Sequence, residues 1–289
     1  MALAKAETST AGMIRIGALN VRRLGFGAMR IVGPGVWGER NDKTAMINLL
    51  KEAVRLGVNF IDTADAYGPN ISEELIRDAL FPYRGIVIAT KGGFLRGGPG
   101  NWVPDGSPSH LRRACEESLS RLKLDVIDLY QLHCVDPKVP FEESFQTLLD
   151  LQREGKIKNI GLSNINLEHF ALAMNMGNFV SVQNRYSLLN RENEAVLKAC
   201  EKYGKVFIPY FPLGGGMSDH DLYRLNISHI AAKHHATTKQ IMLAWLLVHS
   251  ASILPIPGTG SIAHLKENMA AASIQLDKEE IISLDNISS

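Results

Sequence analysis

A carboxylate and a phenol stand five positions apart, at the point where a short apolar run of the sequence ends. The run contains Val58, Phe60 and Ile61, and it leads into Asp62 and then, in the loop beyond, into Tyr67. A buried carboxylate is costly unless it is paired, and a phenol with a pKa of about 10 is a poor acid at neutral pH unless a cation lowers that pKa. Both side chains therefore need a partner such as a lysine, and together they indicate acid–base chemistry.

The composition is that of an ordinary globular protein. Of 289 residues, 45% are hydrophobic and 21% are charged, and the formal net charge is +1. This balance gives no indication of nucleic-acid or membrane binding, and the apolar segment 241–248 is far shorter than the roughly 20 residues that span a bilayer. A small molecule is the expected partner.

The start of the chain and the cysteines bear on where the protein acts. Residues 1–12 are small and polar and lack the apolar core of a secretory signal, so we interpret them as a disordered tail ahead of a single domain, 13–289. Cys115, Cys134 and Cys200 are scattered, which suits reduced thiols better than a disulfide scaffold or a zinc site. We therefore expect a cytoplasmic protein without a metal site.

Apolar strand-like runs alternate with amphipathic helix-like segments along the chain. Eight such pairs can be counted. In each, the strand is followed by its helix: 24–27 with 42–56; 60–62 with 72–80; 86–90 with 107–122; 126–132 with 141–154; 157–162 with 166–174; 179–182 with 190–203; 206–208 with 226–248 (as two helices); and 253–256 with 261–272. The alternation predicts a parallel sheet with right-handed crossovers, and eight units close a (β/α)8 barrel.

A doubly wound open sheet is the alternative α/β fold. Its glycine fingerprint is incomplete here, because Gly25-x-Gly27 lacks a third glycine and continues into a long loop. The barrel is therefore the predicted fold. We also predict an N-terminal β-hairpin over residues 14–21 that caps one end, and an extra C-terminal helix over 277–284 that begins with a capping box of Asp277 and Glu280.

Polar residues close most of the predicted strands. The first three are Asp62, Lys91 and His133, and those that follow are Ser163, Asn164, Gln183, Asn184, Tyr210 and the turn Gly258-Thr259-Gly260. Each alone has a structural explanation: an ion pair or helix cap for the aspartate, a surface position for the lysine, a core position for the histidine. In a barrel, however, all converge on the C-terminal face, where active sites lie. Their joint placement predicts an acid–base site.

Over almost its whole length the sequence resembles the aldo-keto reductase family. The motifs that carry the resemblance are Asp62-x4-Tyr67-Gly68, Thr90-Lys91, Tyr130-Gln131-Leu132-His133, Gly155-Lys156-Ile157, Ile160-Gly161-Leu162-Ser163-Asn164 and Ile256-Pro257-Gly258-Thr259. The resemblance implies reduction of a carbonyl group with NADPH by a tetrad of Asp62, Tyr67, Lys91 and His133. It makes Tyr67 the general acid, whose pKa Lys91 lowers. Asp62 would hold the lysine, and His133 would orient the substrate carbonyl.

The resemblance also implies the cofactor contacts. Ser163, Asn164 and Gln183 would bind the nicotinamide carboxamide, and Tyr210 would stack on the nicotinamide ring. The complete implied set is Gly27, Ala28, Met29, Asp62, Ser163, Asn164, Gln183, Tyr210, Phe211, Leu213, Gly214, Gly258, Thr259, Gly260, Ser261, His264, Glu267 and Asn268.

Two departures from the family pattern bear on the choice between NADPH and NADH. Many relatives carry Lys where this chain has Gly258 and Arg where it has His264. We therefore expect a modest preference for NADPH, with Thr259, Ser261, His264 and Lys266 near the 2′-phosphate.

The expected substrate pocket is apolar and aromatic, and its members are Met29, Trp37, Tyr67, Phe94, Trp102 and His133. Such walls favour flat aromatic aldehydes over sugars or steroids. The runs 25–30 and 209–215 resemble a bacterial-type branch that includes pyridoxal reductases, so pyridoxal is a candidate substrate. An alternative within the same resemblance is a cofactor-sensing regulatory subunit, as on potassium channels. We favour a stand-alone enzyme and expect a monomer.

Overall fold

Strands and helices alternate through the residues that the computed structural model describes, 11–215 and 227–287. The strands are β1 (Met13–Ile16), β2 (Leu19–Arg22), β3 (Phe26–Gly27), β4 (Phe60–Asp62), β5 (Val87–Gly92), β6 (Phe94–Gly98), β7 (Asn101–Pro104), β8 (Ile127–Leu132), β9 (Ile157–Ser163), β10 (Ser181–Gln183) and β11 (Val206–Phe207). The helices are α1 (Lys43–Arg55), α2 (Ile71–Leu80), α3 (Pro108–Leu122), α4 (Phe141–Arg153), α5 (Leu167–Met176), α6 (Glu194–Tyr203), α7 (Ser228–Lys233), α8 (Thr238–His249), α9 (Ile262–Ala270) and α10 (Lys278–Asp285). None of the described helices is long and apolar enough to cross a membrane.

Seven strands form one parallel sheet in the order β3-β4-β5-β8-β9-β10-β11. Every residue of β5 is buried, and so are all but one of β8. Strands that are covered on both faces in this way are typical of parallel sheets whose crossover helices lie outside. The sheet curls on itself, and the fold is the predicted (β/α)8 barrel.

The predicted eighth strand, residues 253–256, closes the barrel with few hydrogen bonds. On one side the Phe207 amide donates to the Ser252 carbonyl (2.8 Å) and the Leu254 amide to the Phe207 carbonyl (2.9 Å). On the other side the Gly25 amide donates to the Pro255 carbonyl over 2.9 Å. A regular ladder does not form, because Pro255 and Pro257 have no N–H to donate.

The predicted N-terminal hairpin covers one end of the barrel. Ile16 of β1 and Val21 of β2 are fully buried against the interior of the sheet, among residues such as Phe60, Val87 and Val206. These three residues begin their strands, so the hairpin lies at the N-terminal end and leaves the C-terminal end open.

Several helix limits differ from the sequence predictions. Helix α6 begins at Glu194 rather than 190, because residues 187–190 form a turn with reciprocal backbone hydrogen bonds of 3.0 and 3.2 Å. The predicted 226–248 segment contains α7 and α8, separated by a capping box at Thr237, although residue 226 itself lies outside the described residues. The capping box at Asp277 is present as predicted. Of the predicted tail, 1–12, only the last two residues belong to the described part.

A second hairpin, which the sequence analysis did not predict, follows β5. Strands β6 and β7 pair antiparallel, with Phe94 opposite Pro104 and Leu95 opposite Val103. Gly100 turns the chain with a φ of +71°, a conformation that favours glycine. This hairpin stands at the open end of the barrel and carries two of the predicted pocket aromatics, Phe94 and Trp102.

Candidate active site

The predicted catalytic residues meet at the C-terminal end of the barrel. Asp62 ends β4, Lys91 lies near the end of β5, and His133 follows β8 directly. Because the strands are parallel and in register, with Asp62 level with Ala89 and Lys91 level with Gln131, the polar side chains come to the same end.

A buried ion pair forms the floor of the site. The Lys91 ammonium Nζ lies 2.6 Å from Asp62 Oδ2, and the two side chains are 0% and 2% exposed. The ammonium also donates to the Thr63 carbonyl over 2.8 Å and to the Tyr67 hydroxyl over 3.3 Å, so all three of its donors are used. Burial alone would lower the pKa of Lys91, but the adjacent Asp62 carboxylate raises it overall. Lys91 is therefore a permanent cation at neutral pH.

The second carboxylate oxygen of Asp62 is held by two glutamines. Gln131 Nε2 donates to Oδ1 over 3.0 Å, and Gln183 Nε2 donates to the same atom over 2.8 Å. Gln183 is a predicted cofactor contact, whereas Gln131 has no predicted role in the site. The sequence signal for Gln131 is its place in the motif Tyr130-Gln131-Leu132-His133. The cofactor contact of Gln183 stays a prediction.

Burial reverses the expected net shift of the Tyr67 pKa. The phenol is 7% exposed, and this burial raises its pKa above the ordinary value. The Lys91 cation opposes the shift, as predicted, but does not overcome it. The phenol therefore keeps its proton at neutral pH, which is the form that a general acid requires.

His133 is a neutral imidazole beside the phenol. Its ring stands edge-on to that of Tyr67, with 5.8 Å between the ring centroids, and lies 4.8 Å from that of Phe94. Burial first, and the positive charges of Lys91 and Arg96 next, hold its pKa well below the usual range. Nδ1 is inaccessible to solvent and has no hydrogen-bond partner among the described residues, so Nε2 is the nitrogen that remains available to a ligand.

A cavity of about 340 Å³ opens above the ion pair. The predicted site residues that line it are Gly27, Met29, Asp62, Tyr67, Phe94, Trp102, His133, Ser163, Asn164, Gln183, Tyr210, Phe211, Leu213, Gly258, Thr259, His264, Glu267 and Asn268. Residues without a predicted role also line it: Arg30, Pro212, Gly215, Lys239, Ile256 and Pro257. Lys91, the cation of the ion pair, is not part of the lining. The other predicted residues outside the lining are Ala28, Trp37, Asn184, Gly214, Gly260, Ser261 and Lys266.

One side of the cavity is built from polar residues that hold one another. Asn164 has a left-handed φ of +57° and donates through Nδ2 to the His133 carbonyl over 2.9 Å. Its Oδ1 accepts from the Tyr210 hydroxyl over 2.8 Å. Ser163 donates to the Gln183 carbonyl over 2.8 Å. An amide and an aromatic ring fixed side by side suit a flat ring that carries a carboxamide.

The far end of the cavity suits an anion. Ser261 caps helix α9 by accepting from the His264 amide over 3.4 Å, and such a helix N-terminus favours negative charge. The neighbouring backbones are tightly packed, since a Cβ on Gly258 would lie 2.5 Å from the Gly27 carbonyl. Glycine at 258 therefore allows this close approach of the two backbones.

Arg96, which has no predicted role, connects a hairpin and two loops around the pocket. Its guanidinium lies 3.7 Å from the ring centre of Trp102 and donates to the carbonyls of Asn101, Val36 and Ala66 over 2.8, 3.0 and 2.8 Å. Ala66 directly precedes Tyr67. The arginine thus links the β6–β7 hairpin and the loop after β3 to the loop that carries Tyr67.

Comparison with known proteins gives one consistent result. The model of the Aldo/keto reductase family matches residues 23–289. The chain is 42% identical to a pyridoxine 4-dehydrogenase of Escherichia coli, over 94% of this chain and 97% of that one. It is 45% identical to an uncharacterized oxidoreductase of Schizosaccharomyces pombe, over 96% of this chain and 90% of that one.

A solved structure shares the fold. An aldo/keto reductase from Klebsiella pneumoniae, crystallised with NADP and acetate, superposes with a TM-score of 0.80. The two sequences are 29% identical, and the match covers 94% of each chain.

Replacing Arg96 should loosen the aromatic wall. We expect Arg96→Met to raise KM for an aromatic aldehyde about tenfold while kcat falls less, because Trp102 loses its cationic partner and Ala66 its donor. Steady-state kinetics measure this, with Arg55→Met, at an exposed arginine paired with Glu52, as the control. A folded Arg96→Met protein with an unchanged KM would contradict the assignment.

Proposed function

The chain belongs to the aldo/keto reductase family and is an NADP-dependent oxidoreductase, and from this premise we propose that it reduces aldehydes, above all aromatic ones, to alcohols. The observation that carries the proposal is the Tyr67 hydroxyl, buried at the cavity floor 3.3 Å from the Lys91 ammonium. A proton donor beside a fixed cation, in a cavity with aromatic walls, matches what carbonyl reduction requires.

Reduction adds one hydride to the carbonyl carbon and one proton to its oxygen. NADPH, when bound, supplies the hydride. Tyr67 supplies the proton, since its raised pKa keeps it protonated at neutral pH. The phenolate left behind lies beside Lys91, whose charge stabilises it until solvent returns a proton. Asp62 keeps the ammonium in place.

His133 orients the carbonyl group in this proposal. A neutral imidazole carries one proton, and an N–H on the inaccessible Nδ1 would be buried without an acceptor among the described residues. The proton is therefore better placed on Nε2, from which it can be donated to the substrate oxygen. A neutral imidazole donates a hydrogen bond but keeps its proton. The transfer of a proton to the substrate oxygen is therefore left to Tyr67.

We assign the cofactor by the chemistry of the cavity's lining. The amide of Asn164 and the ring of Tyr210 would hold the nicotinamide, with Ser163 and Gln183 next to them. The phosphates and the adenosine would follow the far end, where His264, Asn268 and the N-terminus of α9 lie.

The aromatic wall supports the choice of substrate. Phe94 and Trp102 meet edge-on, with ring centroids 5.3 Å apart, and both line the cavity with Met29. A flat ring packs well against such a surface. The relationship to a pyridoxine 4-dehydrogenase makes pyridoxal the first substrate to test. Trp37 is left out of this pocket, because it does not line the cavity.

The cytoplasm remains the compartment that we propose, because all three cysteines are buried free thiols. A monomer also remains a prediction.

The alternative function, a cofactor-sensing regulatory subunit, differs in its kinetics. Such a subunit would oxidise bound NADPH only once and slowly, whereas the proposed enzyme turns over continuously.

Replacing the proton donor should abolish most activity without loss of the cofactor site. We expect Tyr67→Phe to bind NADPH normally and to reduce aldehydes at least about 100-fold more slowly, the usual value of general acid catalysis. Steady-state rates and NADPH fluorescence measure the two effects, with Tyr203→Phe, at an exposed tyrosine, as the matched control. Near-normal turnover by Tyr67→Phe would refute the proposed mechanism.

A substrate panel tests the specificity. With NADPH, we expect kcat/KM for nitrobenzaldehyde or pyridoxal to exceed that for glucose and for a ketosteroid by about tenfold or more, equivalent to about 1.4 kcal/mol of transition-state discrimination. A sugar or steroid preferred by the same factor would show that the aromatic-aldehyde proposal is wrong.

A further inference from the structure

The 258–261 turn at the far end of the cavity, Gly258-Thr259-Gly260-Ser261, carries no cationic side chain. His264, in the first turn of α9, lines the cavity there. Lys266, which we expected near the 2′-phosphate, lies on the side of α9 that faces α1, with its ammonium 3.7 Å from the Glu52 carboxylate. A chain that binds NADPH must take its charge from elsewhere.

Two arginines between β3 and α1 lie near the 258–260 turn. A Cβ built on Gly260 would lie 3.2 Å from Arg40 Nη1, and one built on Gly258 would lie 3.7 Å from Arg30 Cγ. Arg30 itself lines the cavity. The guanidinium of Arg40 thus occupies the space that a side chain at position 260 would fill.

Asp42 holds Arg40 in a fixed orientation. Its carboxylate accepts from Nε over 2.7 Å and from Nη2 over 2.9 Å. Among the described residues, Nη1 has no hydrogen-bond partner, and it is the atom nearest to the position that a Cβ on Gly260 would take. The two hydrogen bonds to Asp42 therefore leave Nη1 of Arg40 unused and directed towards the 258–261 turn. The guanidinium that carries it is permanently charged.

We propose that Arg40, with Arg30 beside it, binds the 2′-phosphate of NADPH and so supplies the positive charge that the 258–261 turn lacks. The proposal rests on the proposed function, because it assumes that the adenosine end of the cofactor lies along this turn. Arginine suits the task, since its planar N–H groups match phosphate oxygens. The N-terminus of α9 adds further positive potential at Ser261.

Binding measurements with the whole protein test the proposal without any turnover. We would measure Kd for NADPH, NADH, 2′,5′-ADP and 5′-AMP by calorimetry. Arg40→Gln should weaken NADPH and 2′,5′-ADP by about tenfold or more, and NADH and 5′-AMP by less than about twofold, because only the 2′-phosphate contact is lost. Arg40→Lys keeps the charge but not the planar guanidinium. Its Kd for NADPH should therefore lie between those of the wild-type protein and Arg40→Gln.

The control is Arg112→Gln, since Arg112 is similarly exposed and its Nη1 donates to both carboxylate oxygens of Glu154, far from the cavity on the outer helices. It should leave all four constants unchanged. Equal weakening of NADPH and NADH by Arg40→Gln, or no weakening of either, would overturn the proposal. A wild-type protein that bound neither dinucleotide would instead contradict the proposed function.

Discussion

The buried ion pair of Lys91 and Asp62 is the constraint on which the rest of the site depends. Two charges withdrawn from water are stable only when their remaining donors and acceptors are satisfied. Here the partners of the pair come from different strands: Gln131 from β8 and Gln183 from β10, with the Thr63 carbonyl next to β4. Such partners meet only if the sheet curls into a barrel with its register intact. The ion pair therefore depends on the fold for its partners.

The same cation lowers the pKa of both of its neighbours, whereas burial shifts the two pKa values in opposite directions. It opposes the effect of burial on the Tyr67 phenol, and it adds to the effect of burial on the His133 imidazole. Tyr67 consequently remains a proton donor, and its phenolate would have Lys91 as counter-ion. His133 remains an uncharged hydrogen-bond donor. Arg96 contributes to the low pKa of His133 and also holds the pocket loops, so the aromatic wall and the acid–base centre are coupled.

The sequence predicted the strand-end residues well, because a polar side chain that closes an apolar run is visible in one dimension. It did not predict Gln131, whose amide lies within a strand and matters only because Asp62 is its neighbour in space. It missed the role of Arg96, whose partners come from a hairpin and two loops. The net pKa shift of Tyr67 was also out of reach, since the opposing effects of burial and Lys91 depend on three-dimensional packing. Residues 253–256, which were predicted as the eighth strand, form no regular strand, because two prolines interrupt the hydrogen bonding of this apolar segment.

The most direct test of this account is the pKa of the Tyr67 phenol in the free protein, followed by NMR of a tyrosine-labelled sample. Tyr67→Phe assigns the resonance, and Lys91→Met removes the cation. We predict that the pKa of Tyr67 in Lys91→Met rises by about one unit or more above that of the wild-type protein, because the phenolate loses its counter-ion. An unchanged or lower pKa in Lys91→Met would contradict the claim that Lys91 controls the phenol.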